Sequence, residues 1–432
     1  MLKKATSAGP SFTPPGRKLI MGRLLEDCKK NTDAALTKVT SAWSEIGVCI
    51  ASDGWTDGQE RPQLNFLAVN TQASVFLFGV DCGSDKKTGL FIAEHLKTAI
   101  NMVGSDNVVG VLMDGASSCV SAANIIKDDF PKIQYIRCAA HSLNNLIKDI
   151  GARPWAAKTI EDAQGTISTL KNSHWVTGKL REQNLLLLLK PAGTRFGTNY
   201  IALERLLKVR EVLDRLVTTK GWEENAAKKE KMRGVKTLVR DDNFWKGVEQ
   251  VLKVLKPVYL LLRGIDSNQE VMGKIYDKMF RVEDAVNEAC RRLPATEKNA
   301  IAKAVSDWWN DNINCALHVV GRILYPPNQF EKIFGVDKEC SRIFRRFIRE
   351  YYDGEVVVDE DGDSKPMATV IEEELMIYLQ GVGEIGDKKA REDHELIKKV
   401  GRVEEEEKDD TYEPLDDEEL EDCCYKESND DV

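Results

Sequence analysis

Gly47-Val-Cys-Ile-Ala-Ser-Asp53 is a short apolar run that ends in a carboxylate, and Asn107-Val-Val-Gly-Val-Leu-Met113 repeats the pattern just before Asp114. Each reads as a buried strand. Between them, Gln63 to Thr71 and Ser74 to Asp81 alternate apolar and other residues (Leu64, Phe66, Ala68; Val75, Leu77, Gly79). Only Gln72-Ala73 separates these two segments, which predicts a hairpin. Lys86 to Val103 places Leu90, Ala93, Leu96 and Ile100 on one helical face. Beyond Asp114 the pattern predicts a helix over Ser117 to Asp128, a fifth strand over Lys132 to Arg137 and a helix over Cys138 to Ile150.

The order is therefore three strands, helix, strand, helix, strand, helix. Three consecutive strands with short connections form an antiparallel meander, whereas strands reached through helical crossovers run parallel. A doubly wound dinucleotide fold would alternate strand and helix from the start and carry a glycine fingerprint. The expected class is α/β: a ribonuclease-H-like mixed five-stranded sheet with flanking helices, followed by an all-α region and an acidic disordered C-terminal tail.

Outward from this core, residues 1–17 read as a flexible leader ending in Pro14-Pro15-Gly16-Arg17, followed by an amphipathic helix from Leu19 to about Lys38. After residue 150 helical periodicity dominates, interrupted at Gly193-Thr-Arg-Phe-Gly197 and Gly264-Ile-Asp-Ser-Asn268. Glu355 to Lys365 reads as a loop and Val370 to Gln380 as a helix. The expected organisation is a leader (1–17), the sheet-bearing core (18–200), a helical insertion-type region (201–335), a loosely structured remnant (336–403) and an acidic tail (404–432).

Composition narrows the class. Hydrophobic residues make up 42% and charged residues 30% of the 432, and no apolar run reaches the length of a membrane span. The N-terminus lacks the apolar segment of a secretory signal, so a nuclear or cytoplasmic address is expected. The ten cysteines form no CxxC pair, which argues against a disulfide framework. The net charge of −9 is uneven: Glu404 to Val432 holds 16 acidic and 2 basic residues. Taking these from the chain's 61 basic and 70 acidic residues leaves 59 and 54, a body of net +5. A mildly basic body admits nucleic acid as a partner, and an acidic tail admits a basic protein partner or plain solvation.

The chemistry centres on Asp53 and Asp114. Were the two strands neighbours, both carboxylates would converge at one end of the sheet, where like charges are costly unless divalent cations lie between them. Hard oxygen ligands suit Mg2+ or Mn2+, and two such ions can activate a hydroxyl and stabilise the leaving oxygen of a phosphodiester. Alternatively, Asp53-Gly54 and Asp114-Gly115 are simply turn residues after strands.

Ser52-Asp-Gly-Trp-Thr-Asp57, Met113-Asp-Gly-Ala-Ser-Ser118 and Cys138-Ala-Ala-His-Ser-Leu-Asn144 occur in this order at consecutive places in the expected sheet. The trio resembles the hAT transposase family, in the branch whose central region is a domain of unknown function beside a BED zinc finger. Gly9-Pro-Ser-Phe-Thr-Pro-Pro15, Leu262-Arg-Gly-Ile-Asp266, Met272-Gly-Lys-Ile-Tyr276 and Leu317-His-Val-Val-Gly321 with Leu324-Tyr-Pro326 extend the resemblance over about residues 9–330. It implies that Asp53 and Asp114 are the first two members of a DDE metal-binding triad. Cys138 and His141 match the family's C-x-x-H motif. One Cys and one His make half a zinc site, and a supporting role one helical turn apart is the alternative. Arg195 falls where the family has Arg-Trp, either as a phosphate contact or as a surface loop residue.

The family's third carboxylate lies in a C-terminal segment that also supplies its dimer interface. That segment is not recognisable here, and Glu373, among Glu372 to Glu374, is the candidate stand-in. Ahead of the core, Cys28 and Cys49 precede the first histidine, His95, so no BED finger is expected and DNA contact should be weak and not sequence-specific. The expectation is a transposon-derived, degenerate and non-catalytic nucleic-acid-binding or interaction protein. The alternatives are an active metal-dependent nuclease with an unusual third ligand, or a pure interaction scaffold.

Overall fold

The structure is a computed structural model. It describes residues 15–83, 87–183, 188–191, 197–225, 230–266, 271–328, 333–358 and 362–380. The chain forms two compact units, Met1–Ile136 and Arg137–Val432.

The first unit is built on β1 (Val48–Thr56), β2 (Pro62–Val69), β3 (Ser74–Asp81), β4 (Val108–Met113) and β5 (Gln134–Arg137), arranged in the order β3-β2-β1-β4-β5. β1 pairs antiparallel with β2, β2 antiparallel with β3, and β1 parallel with β4. The mixed sheet with adjacent first and fourth strands is the arrangement expected from the order of elements. Helices α1 (Leu25–Thr40), α2 (Gly89–Val103) and α3 (Ser117–Asp129) accompany it. Alternate strand residues point to opposite faces. Ile50, Phe66, Val111 and Met113 join Leu96 and Ile100 of α2 and Ala122 and Ile126 of α3 in one buried core.

Two local expectations need correction. The hairpin between β2 and β3 turns through Asn70 to Ala73, because the Asn70 carboxamide accepts the backbone N–H groups of Gln72 and Ala73, both at 3.0 Å, and so ends β2 early. β1 also does not stop at Asp53. It runs on to Thr56, with Asp53 paired to Asn65 and Thr56 to Pro62, because the β1–β2 turn closes only at Asp57 to Arg61. At its start β1 needs Gly47: φ is +79°, and a Cβ there would stand 2.8 Å from Val109.

Among its described residues the second unit is mainly helical, with one hairpin. Its principal helices are α4 (Ala139–Gly151), α5 (Pro154–Lys171), α6 (Gly197–Lys208), α7 (Asp242–Asp266), α8 (Ile275–Ala289), α9 (Ala295–Trp308), α10 (Ala316–Leu324), α11 (Lys338–Tyr351) and α12 (Met367–Gln380). One core runs through them, from Leu143 and Leu146 through Leu255 and Val258 to Phe344 and Ile348. The predicted loop at 355–365 contains a hairpin, β6 (Val356–Val358) with β7 (Ser364–Pro366), since a run of three valines favours the extended state. Within 336–403, where a helix over Val370 to Gln380 is expected, the described residues hold α11, this hairpin and α12. Arg322 of α10 ties three elements: its guanidinium meets Asp277 of α8 at 2.8 Å and Asp337, the N-cap of α11, at 2.9 Å. The Tyr276 ring lies 4.6 Å beneath it.

Candidate carboxylate site

β1 and β4 pair in parallel through Ile50↔Val111 and Ala51↔Leu112. Continuing that register by two residues sets Asp53 opposite Asp114, on the face away from Ile50 and Val111. The side chains report the same proximity. Cys119, in the first turn of α3, has its thiol pushed up to about 12, by burial first, then by the charge and hydrogen bonding of Asp114 and also by the charge of Asp53. One thiol thus senses both carboxylates. Asp53 is exposed and Asp114 half-buried.

The Asp114 carboxylate already has partners. One oxygen accepts the Ala116 backbone N–H at 2.7 Å, an Asx-type turn that leads the chain into α3. The protonated Cys119 thiol hydrogen-bonds it as well. Tyr135 of β5 donates its hydroxyl to the Asp114 backbone carbonyl at 2.7 Å, which fixes the end of β4. Asp57 turns away to a different task. It accepts the backbone N–H of Arg61 at 2.9 Å and pairs with the Arg61 guanidinium at 2.7 Å, and these bonds hold its carboxyl below the usual carboxylate range. Trp55, two residues beyond Asp53 and 48% exposed, presents its indole to solvent.

Among the described residues no group of three or more His, Cys, Asp or Glu side chains is gathered to hold a metal ion. Asp53 and Asp114 provide two ligands, one of them engaged by an N–H and a thiol, which does not fit a two-ion clamp. Glu373 lies in the second unit on α12, where it pairs with Lys365 at 3.6 Å.

The C-x-x-H residues also belong to the second unit. Cys138 occupies the N-cap of α4, and His141 stands one turn on, exposed. Arg195 lies outside the described residues. Asn144, the last residue of the same motif, holds the start of α6: its carboxamide oxygen accepts the Gly197 N–H at 2.9 Å. A Cβ at Gly197 would lie 3.1 Å from Leu262 of α7, so three separately quoted motifs meet at this glycine.

Sequence reasoning missed Cys119, Tyr135 and the exposure of Trp55. A thiol two residues into a helix after Asp-Gly gives no signal of its own. Trp55 was legible as an aromatic two positions beyond a candidate carboxylate on an alternating strand.

The protein is thus one with a mixed five-stranded α/β sheet in which carboxylates from the first and fourth strands converge. Residues 15–166 match the family described as a domain of unknown function, DUF659, a domain found in hAT-type transposases. The match covers 152 of the 432 residues and contains Asp53, Asp114, Cys119, Cys138 and His141. No curated protein matches the chain.

Proposed function

We propose that this chain is a nuclear protein derived from a hAT transposase, which retains the ribonuclease-H-like platform and contacts nucleic acid without cutting it. The observation behind this reading is the state of the carboxylate pair. Asp53 and Asp114 converge as a DDE core requires, yet Asp114 is held by the Ala116 N–H and the Cys119 thiol. A divalent ion would compete with a hydrogen-bonded turn for that carboxylate, and a clamp on two ions needs further oxygen ligands. Trp55 supports nucleic-acid contact, because an exposed indole offers a stacking face to any unpaired base. Contact of this kind is independent of sequence.

Purified protein incubated with labelled single- and double-stranded DNA and Mn2+ tests the reading. The expected outcome is intact DNA. Cleavage that disappears in Asp53→Asn would establish a working nuclease and overturn it.

A further inference from the structure

Lys338, Arg342, Arg345, Arg346 and Arg349 follow the spacing i, i+4, i+7, i+8, i+11 along α11. At 3.6 residues per turn these positions fall within an arc of about 100°, so the five cations form one stripe. They line a shallow groove together with Glu350. The opposite face of the helix is committed to the core of its own unit through Cys340, Phe344 and Ile348.

The acids near the stripe answer only part of its charge. Glu339 pairs with Arg342 at 2.5 Å, and Glu372 of α12 with Arg345 at 2.6 Å. Lys338, Arg346 and Arg349 are exposed and make no ion pair among the described residues. The five cations outnumber the three acids around them, Glu339, Glu350 and Glu372, so the face keeps a net positive charge.

We infer that this face of α11 is a docking surface for the sugar–phosphate backbone of nucleic acid. The inference rests on the reading that the chain contacts nucleic acid, and it assigns a surface for that contact. At 1.5 Å per residue the stripe is roughly 16 Å long, a length over which one strand of duplex DNA carries about five phosphates. Four of the five cations are arginines, whose planar guanidinium engages phosphate oxygens two at a time. A membrane surface fits poorly, because an interfacial helix must insert its apolar face and that of α11 is buried. The contacts carry no base information, so binding is indifferent to sequence and steep in salt.

The test uses the full chain and fluorescence anisotropy with a labelled duplex of about 24 base pairs over a salt series from about 50 to 200 mM. Lys338, Arg346 and Arg349 are changed together to glutamine; none leaves an acid without its partner, and thermal melting checks that the fold is retained. Lys246, Lys253 and Lys256, exposed on α7 and changed together to glutamine, serve as the charge-matched control. The expected result is a loss of about 10- to 100-fold in affinity at low salt and a salt slope shallower by about 3, with the control unchanged. Wild-type binding that the triple change leaves intact would sink the inference while leaving nucleic-acid contact standing. No binding by the wild-type chain would sink both. Unchanged DNA affinity with lost binding of a poly-glutamate peptide would reassign the face to an acidic protein.

Discussion

At the residue scale the structure separates charged groups held by their surroundings from one kept neutral. His318, in the Leu-His segment of α10, is 4% exposed and stacks on Trp309 at 6.3 Å. Its ring bonds the Ile313 backbone, and its Nδ1 has no partner among the described residues. Burial lowers the imidazole from the usual histidine range to about 4. The unfolded chain therefore takes up a proton first as pH falls, so the contribution of a neutral His318 is complete above about 6.5 and is lost progressively down to about 4. The loss is on the order of 3 kcal/mol. Urea unfolding followed by tryptophan fluorescence from pH 7.5 to 4 should show it, and His318→Leu should flatten the profile over that window. A wild-type profile as flat as the variant's would show that the imidazole finds a proton acceptor or water in the folded protein. The same logic gives Cys119 its place beside the carboxylates: a thiol kept protonated by burial and two negative neighbours acts as a donor rather than a nucleophile.

At the element scale, contacts between helices were the part least visible in advance. Gly89 opens α2, and a Cβ there would stand 2.5 Å from the Cβ of Ser121 and 3.1 Å from the Ser118 carbonyl, both on α3. Neither neighbour is the end of a flexible chain, so the two helices would have to separate. Gly89→Ala should destabilise the first unit by about 1–3 kcal/mol. Gly165 lies inside α5 with nothing within 4 Å of the same imaginary atom, and Gly165→Ala should stabilise its helix by up to about 1 kcal/mol. Thermal melts of the two variants should move in opposite directions; a shared direction would contradict the packing described here. The strands of the sheet were legible because a buried strand leaves a two-residue alternation or an apolar run, as Val48 to Ile50 and Val108 to Met113 do. The parallel direction of β4 followed from its helical crossover, and its place beside β1 from the ribonuclease-H-like arrangement. The continuation of β1 past Asp53 was not legible, since Gly54, Trp55 and Thr56 are exposed and lack the apolar signature. Nor was the α11 stripe singled out, because its basic residues lie within 336–403, a region expected to be loosely structured. The apolar residues between them, Phe344 and Ile348, were enough to pin one face and so display the other.

At the scale of the whole molecule, charge is distributed in two blocks of opposite sign. Residues 1–403 carry net +5, and the 29 residues from Glu404 bring the total to −9. A polyanion approaching this chain meets a body that attracts it and a segment that repels it. At physiological salt these fields are screened beyond about 8 Å, and at low salt they reach several times farther. Ending the chain at Val403 should therefore strengthen binding to duplex DNA by about tenfold near 50 mM salt, and the advantage should shrink as salt rises toward 200 mM. Anisotropy titrations of the two chains side by side measure both quantities. Equal affinities across the series would mean that the acidic segment's charge does not reach the binding surface, and that the net charge of the chain is a poor guide to its partners. A difference that persists undiminished at high salt would instead point to a direct contact made by the acidic segment, since only short-range pairing escapes screening.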